Sequence, residues 1–129
     1  AAAASMHKIE NILVFVDRNQ LQISGPTTKV MNYEPLEERW RSFGWSVRTI
    51  NGHDFNSIIN NAYEIPFEKG KPSVIIADTI KSKGLSFAEG KVNYHYWKAT
   101  PAEMTRAEQD LDEIENELKK KLKSITGNE

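Results

Sequence analysis

The chain has 129 residues, of which 39% are hydrophobic and 27% are charged, and its formal net charge is −1 at pH 7. These values are typical of one folded domain and exclude wholesale disorder, and the charge balance indicates neither a nucleic-acid nor an anionic-membrane partner. The absence of cysteine excludes disulfides and thiolate metal sites. No apolar run is long enough to span a membrane and Ala1–Ala4 does not resemble a signal peptide, so the protein is predicted to be cytoplasmic.

The first predicted strand is the run Ile12–Val16, which follows an alanine-rich helical segment at residues 1–7. Apolar residues occupy both faces of this run, which predicts a buried parallel strand. The polar residues Asp17–Gln20 end the strand. A brief alternation at Leu21–Ile23 and a turn at Ser24–Pro26 follow.

The next predicted elements are a helix over residues 34–44 and a strand over residues 45–50. Pro35 near the start and Gly44 just past the end delimit the helix. Three apolar residues at helical spacing should face a sheet, and these are Leu36, Trp40 and Phe43.

A second helix is predicted from Phe55 to about Phe67, with Asp54 as its N-cap and Pro66 limiting its end. Its apolar side chains should point inward, and these are Ile58, Ile59, Ala62 and Tyr63. A third strand, again apolar on both faces, is predicted at residues 73–79.

An amphipathic helix over residues 100–127 is predicted to end the chain, after a long loop over residues 81–99. Thr100 and Glu103 form a capping box, and Pro101 occupies the first helical position. Apolar residues recur at three- and four-residue steps and should form a seam against the domain or a partner; they are Met104, Ala107, Leu111, Ile114, Leu118, Leu122 and Ile125.

The order of elements predicts a three-layer α/β fold, with a mostly parallel sheet and flanking helices. Buried strands need neighbours on both sides, and only one of the strands at 12–16 and 73–79 can have two within this chain. We therefore expect the chain to be incomplete as a domain, or to dock onto another polypeptide.

Candidate site residues lie where the predicted strands end, because parallel sheets bind ligands beyond their carboxyl ends. Asn19 offers a hard oxygen ligand for Mg²⁺ or Ca²⁺, although an Asn in a turn is also an ordinary structural residue. His95 lies among aromatic residues and could bond a phosphate, move a proton, or simply pack. Lys81 and Lys83 could approach a sugar phosphate together with His95, or be solvated surface residues.

The segment Ile9–Thr27, with the sequence IENILVFVDRNQLQISGPT, resembles the part of transketolases that closes their thiamine-diphosphate motif. The resemblance continues, in the order and spacing of that family, through nearly the whole chain. It is carried by Glu34–Trp45, Asn51–Asp54, Lys71–Thr79, Lys81–Phe87 and His95–Pro101. It implies that residues 1–129 are the later part of a diphosphate-binding domain.

The resemblance implies specific roles for four residues. The position of Asn19 supplies a side-chain oxygen, and that of Leu21 a backbone carbonyl, to the Mg²⁺ that holds the cofactor diphosphate. The position of Ile23 packs beside the thiazolium ring. The position of His95 lines the channel for diphosphate and substrate, which makes it the candidate catalytic residue.

The chain also departs from the family pattern. Arg18 stands where Asn or Asp is usual, Gln20 where Gly is frequent, and Ser24 where Asp is common. The Gly-Asp-Gly that opens the family's motif is not in this sequence, and neither is the pyrimidine-binding domain with its activating glutamate. Arg18 would disfavour a metal at Asn19 unless its side chain turns away.

The resemblance implies a portion or subunit of a transketolase that depends on thiamine diphosphate and Mg²⁺ (Ca²⁺ is also compatible) and transfers a two-carbon ketol unit between sugar phosphates. We expect the isolated chain to be inactive, with the remaining segments or subunits supplied in a homo- or hetero-oligomer. The alternative is a non-catalytic remnant or interaction module of the same fold that uses the sheet edge and the last helix. No membrane or nucleic-acid partner is expected.

Overall fold

A computed structural model describes residues 1–127, which fall into two compact units, Ala1–Thr79 and the residues from Ile80 onward. The predicted domain extended to residue 129, so its last two residues lie outside the described part. The first unit contains α1 (Ala2–Met6), β1 (Leu13–Arg18), β2 (Leu21–Gln22), β3 (Gly25–Pro26), α2 (Thr27–Val30), α3 (Leu36–Ser42), β4 (Ser46–Asn51), α4 (Phe55–Tyr63) and β5 (Ser73–Asp78). The second contains a 3₁₀ turn at Val92–Tyr94 and helix α5 (Pro101–Thr126).

The main sheet of the first unit has three parallel strands in the order β1-β5-β4. Strand β5 is central, and its residues Ser73 to Ala77 are buried. A separate antiparallel pair, β2-β3, follows β1. The predicted α/β fold with a mostly parallel sheet and flanking helices is confirmed. Among the described residues only β5 has two neighbours in the main sheet, in agreement with the expectation that one of the two apolar strands can have two within this chain.

The core of the first unit forms between the sheet and α4. Ile50, Ile75 and Ala77 are its buried centre, and Ile58 and Phe67 pack against it. Asp54 caps α4 as predicted, because its carboxylate accepts a hydrogen bond from the Asn56 amide at 3.0 Å. This packing fixes the carboxyl end of β4 relative to that of β5.

Strand β1 differs from the buried strand that the sequence predicts. It runs from Leu13 to Arg18 rather than Ile12 to Val16, and it is half-buried at the sheet edge, with Phe15 48% exposed. Hydrophobicity on both faces predicts a strand with two neighbours, but β5 is the only neighbour of β1 among the described residues.

The predicted inner faces of α3 and α4 are partly wrong. Trp40 packs edge-on against the buried Trp45, with ring centroids 4.9 Å apart, but Phe43 is half-exposed. Helix α4 ends at Tyr63 rather than near Phe67, and Ile59 and Tyr63 are exposed rather than inward. The helix stops before Ile65-Pro66 because a residue preceding proline avoids helical geometry.

Helix α5 matches its predicted limits. Thr100 and Glu103 form the capping box, and Gly127 ends the helix in a left-handed conformation with φ +62°. The apolar seam is mostly exposed, with Leu118 and Leu122 at 59% and 61%. No helix among residues 1–127 is long and apolar enough to cross a bilayer.

Candidate functional site

The carboxyl ends of the three parallel strands lie side by side. Arg18 of β1 and Asn51 of β4 are both in register with Asp78 of β5. A cavity of about 260 Å³ opens at the end of β1, where ligands of parallel α/β sheets bind. It is lined by Val16, Asp17, Arg18, Asn19, Gln20, Leu21, Gln22, Thr27, Tyr33, Glu34 and Leu36.

Asn19 occupies the tight turn between β1 and β2. Its side-chain Oδ1 accepts a hydrogen bond from the Leu21 amide at 3.0 Å, and its Nδ2 lies 3.4 Å from Asp17 Oδ2. Gln20 completes the turn with φ +64°, a left-handed conformation that is costly for most residues and easy for glycine. This explains in physical terms why glycine suits that position.

The hydrogen-bond pattern of the β2-β3 hairpin determines which way the Leu21 backbone faces. The Thr27 amide donates to the Gln20 carbonyl at 2.9 Å, so the next pair along the hairpin, Leu21 and Pro26, is a non-hydrogen-bonded pair. Proline has no N–H to donate in any case. The Leu21 amide and carbonyl therefore point away from β3, and the amide already contacts Asn19.

Arg18 lines the same cavity as Asn19, and its guanidinium is held by carboxylates. Its Nε lies 2.6 Å from Asp78 Oδ1, its Nη2 lies 3.1 Å from Asp78 Oδ2, and its Nη1 lies 2.8 Å from Glu37 Oε1. The hydrogen bond to Asp78 raises the pKa of the guanidinium, with Glu37 adding to the effect against partial burial. The positive charge of Arg18 beside this turn is thus offset by Asp78 and Glu37.

Glu37 joins Arg18 to strand β4. Its Oε1 accepts from the Thr49 hydroxyl at 3.0 Å as well as from Arg18. The pKa of Glu37 is lowered, first by a hydrogen bond from its own backbone amide, then by Thr49 and Arg18, while burial opposes the shift. Glu37 is therefore held as a carboxylate that joins α3 to the ends of the strands.

The described residues supply part of a cation site. They contain no group of three or more His, Asp or Glu side chains that could hold a metal ion. The turn does offer two oxygens, from the Asn19 amide and the Leu21 carbonyl, and hard neutral oxygens of this kind suit Mg²⁺. This donor set fits a metal ion whose other ligands come from a bound diphosphate or from other residues.

The remaining predicted site residues lie elsewhere. Ile23 is 57% exposed and is not among the residues that line the cavity. His95 belongs to the second unit, directly after the 3₁₀ turn, and its ring packs edge-on against Tyr96 with centroids 4.7 Å apart. Lys83 Nζ lies 3.1 Å from the Glu89 carboxylate, and this ion pair weakens the attraction of Lys83 for a bound anion.

Sequence reasoning did not identify Asp110, a buried carboxylate in the second unit. It accepts from the Ser86 amide at 2.7 Å and the Ser86 hydroxyl at 3.0 Å, and Arg106 lies 3.0 Å away. Burial opposes its ionisation, but the two hydrogen bonds from Ser86, with Arg106, lower the pKa of Asp110 overall. In the sequence, Asp110 is one of several acidic residues in α5. Only the fold shows that Asp110 is buried while the residues that follow it in α5 are exposed.

Comparison with known proteins identifies the family. A family model described as "Transketolase, thiamine diphosphate binding domain" matches residues 1–120. The chain belongs to the transketolase family. Placed in that family, the turn at Asn19 lies within a thiamine-diphosphate-binding domain.

Two curated relatives are subunits of transketolases. The chain is 39% identical over 113 residues to the 6-deoxy-6-sulfo-D-fructose transketolase subunit SqwG of Clostridium sp. (strain MSTE9), covering 82% of this chain and 41% of that subunit. It is 36% identical over 120 residues to an apulose-4-phosphate transketolase subunit of Phocaeicola vulgatus, covering 93% of this chain and 43% of that protein. The chain therefore spans about two fifths of the length of these relatives.

Solved transketolases share the fold. The transketolase of Campylobacter jejuni superposes with a TM-score of 0.72 at 30% identity, covering 84% of this chain and 17% of that one. The transketolase of Leishmania mexicana gives a TM-score of 0.64 at 18% identity over 92% of this chain and 21% of that one, a likeness of fold alone.

Proposed function

We propose that this chain is part of the diphosphate-binding portion of a transketolase that uses thiamine diphosphate and Mg²⁺ to transfer a two-carbon ketol unit between sugar phosphates. The observation that carries the proposal is the turn in which the Asn19 side-chain oxygen accepts a hydrogen bond from the Leu21 amide at 3.0 Å, beside a cavity at the end of β1. The match to the thiamine diphosphate binding domain supports the choice of cofactor. We also propose a cytoplasmic location, on the resemblance to transketolases alone.

Within this proposal, the chain's residues bind and orient the diphosphate end of the cofactor. Asn19 Oδ1 and the Leu21 carbonyl would hold Mg²⁺, and the cofactor's diphosphate would contribute further ligands. When bound, thiamine diphosphate supplies the nucleophilic carbon that carries the two-carbon unit. Ile23 would pack beside the thiazolium, and its exposure leaves its side chain available for such a contact.

His95 is proposed to line the channel for diphosphate and substrate. Its imidazole is exposed, and the neutral or protonated ring could donate a hydrogen bond to a phosphate or carbonyl oxygen. Other segments or subunits would provide the Gly-Asp-Gly aspartate and the pyrimidine-binding part. The names of the two relatives as transketolase subunits support an assembly of more than one chain.

A chimera tests this function directly. In the chimera, the corresponding residues of this chain replace the 113-residue matching stretch of the Clostridium subunit. The chimeric subunit is then assayed for ketol transfer together with the companion subunits and the substrate of the Clostridium enzyme. We expect transfer that requires thiamine diphosphate and Mg²⁺, and a loss of at least tenfold on Asn19→Ala.

The matched control for that loss is Asn116→Ala, which removes an exposed amide from α5. We expect it to leave transfer unchanged. A chimera that folds and assembles but neither binds the cofactor nor transfers a ketol unit would contradict the proposal.

An interaction module of the same fold is the second candidate, and the exposed seam of α5 is the observation that favours it. Leu111, Leu118 and Leu122 are each more than half exposed. Under this reading the chimera would assemble through α5 without binding thiamine diphosphate, so the experiment above separates the two functions.

A further inference from the structure

A chain of two contacts links Thr79, which follows β5, to Asp17 of β1 and through Asp17 to the Asn19 side chain. The Thr79 hydroxyl, just beyond β5, donates a hydrogen bond to Asp17 Oδ1 near the end of β1. The other oxygen of the same carboxylate, Asp17 Oδ2, lies 3.4 Å from Asn19 Nδ2. The two oxygens of Asp17 thus connect β5 to the amide of the turn.

The chemistry of these partners determines which way the Asn19 amide faces. A carboxylate only accepts hydrogen bonds, so Asp17 requires the NH₂ end of the amide. The Leu21 amide only donates, so at 3.0 Å it requires the oxygen end. Both contacts select the same orientation, in which Oδ1 faces the Leu21 amide.

Gly52 makes room for this arrangement. A Cβ at Gly52 would lie 2.4 Å from the Thr79 methyl group, closer than such atoms can pack, and 3.0 Å from the Ala77 Cβ, a tight contact. The Gly52 amide also donates to the Asp78 carbonyl at 2.8 Å, which fixes the start of the segment that carries Thr79. The missing side chain at residue 52 therefore lets Thr79 reach Asp17.

We propose that Asp17 and Thr79 are positioning residues that hold the Asn19 carboxamide with its oxygen directed toward the proposed metal ion. This rests on the proposed function for the identity of the ion, but the orientation of Asn19 is a property of the chain itself. Asp17 contacts Asn19, Thr79 holds Asp17, and neither residue has to touch the metal or the cofactor.

The first measurement uses the 129-residue chain without metal or cofactor. NMR three-bond couplings to Asn19 Cγ report its χ1 rotamer, the Asn19 Nδ2 proton signals report their contact with Asp17, and the exposed Asn116 provides an internal reference for an averaged side chain. We expect one fixed rotamer for Asn19 in the wild type and in Thr79→Ser, which keeps the hydroxyl. We expect averaging in Thr79→Val, Asp17→Asn and Gly52→Ala. A fixed rotamer in Thr79→Val, with chemical shifts of the sheet unchanged, would overturn the proposal.

The second measurement titrates Mn²⁺ and thiamine diphosphate into the chimeric transketolase, in which the remaining ligands are present, and follows bound Mn²⁺ by water-proton relaxation. Thr79→Val keeps the charge of Asp17, so a loss in this variant is not electrostatic. We expect it to need on the order of tenfold more Mn²⁺ than the wild type, and Thr79→Ser to need the same amount. Equal Mn²⁺ requirements in wild type and Thr79→Val would overturn the proposed link to the metal.

The two measurements separate this proposal from the function on which it rests. If Asn19 is fixed by Asp17 and Thr79 but the chimera with wild-type residues binds no Mn²⁺ with thiamine diphosphate, the positioning is supported and the metal site is contradicted.

Discussion

Arg18 donates hydrogen bonds to both carboxylate oxygens of Asp78, from Nε at 2.6 Å and from Nη2 at 3.1 Å, and so joins the ends of two neighbouring parallel strands. The pair lies in direct register, and the Arg18 side chain is only 16% exposed. An arginine that departs from the family pattern is therefore part of the scaffold beside the turn.

Arg18→Met should lower the free energy of unfolding by about 1 kcal/mol, because it removes charge-assisted hydrogen bonds from Asp78 and Glu37. The value is kept small because Asp78 is half-exposed. Arg18→Lys is the matched control: it retains the charge but lacks the planar fork, so its loss should be smaller. Urea unfolding measures the free energy of unfolding of both variants. Equal stability of wild type and Arg18→Met would contradict a stabilising role for the contacts of Arg18 with Asp78 and Glu37.

The lowered pKa of Glu37 makes the first unit sensitive to acid. Its carboxylate contributes stability above the ordinary value of 4.5, and this contribution is lost as pH falls through the lower pKa of the folded chain. Glu37→Gln should flatten the decline in stability below pH 4.5, and Glu38→Gln, on the same turn of α3, should not. Unfolding curves recorded at several pH values below 4.5 provide the measurement. Parallel declines in the free energy of unfolding of wild type and Glu37→Gln would contradict the lowered pKa of Glu37.

Gln20→Gly should raise the free energy of unfolding by about 0.5 kcal/mol, because relief of a left-handed conformation outweighs the added entropy of glycine in the unfolded chain. Gln20→Val should lower it by about 1 kcal/mol, since a β-branched residue tolerates positive φ poorly. Thermal unfolding of the three proteins gives the order, and a destabilised Gln20→Gly would show that the turn is not strained.

Gly44→Ala should destabilise the chain more than Gly70→Ala. Both glycines have positive φ, +83° and +76°, so each alanine costs about 1 kcal/mol in backbone strain. A Cβ at Gly44 would also lie 2.1 Å from Ser5 Oγ, whereas one at Gly70 would meet nothing within 4 Å. The difference in midpoint between the two variants measures the packing of α1 against this turn, and equal midpoints would contradict that packing.

The fold was largely predictable because its signals are local. The β-branched strand at 73–79, the Asp54 cap and the capping box at Thr100 each depend on a few neighbouring residues, and each is observed. The half-buried state of β1 was not predictable, since the apolar run alone does not reveal that β5 is its sole neighbour among the described residues. The prediction that Phe43, Ile59 and Tyr63 point inward was wrong for a similar reason. Periodicity identifies which side chains are apolar but not which other residues cover them.

The candidate site was predictable only in part. Resemblance to transketolases pointed to Asn19 and Leu21, and these two residues do lie together in one turn beside the cavity. The partners of Arg18 and Asp17 were not predictable, because Asp78 and Thr79 are some sixty residues away along the chain and meet them only through the pairing of β1 with β5.

The most direct test of the central claim is the affinity of the chimeric transketolase for thiamine diphosphate at fixed Mg²⁺, measured by calorimetry for the parent chimera, Asn19→Ala and Asn116→Ala. We expect Asn19→Ala to weaken binding by at least tenfold and Asn116→Ala to bind as the parent does. Equal affinities in all three proteins, with each folded and assembled, would show that the turn after β1 does not hold the cofactor.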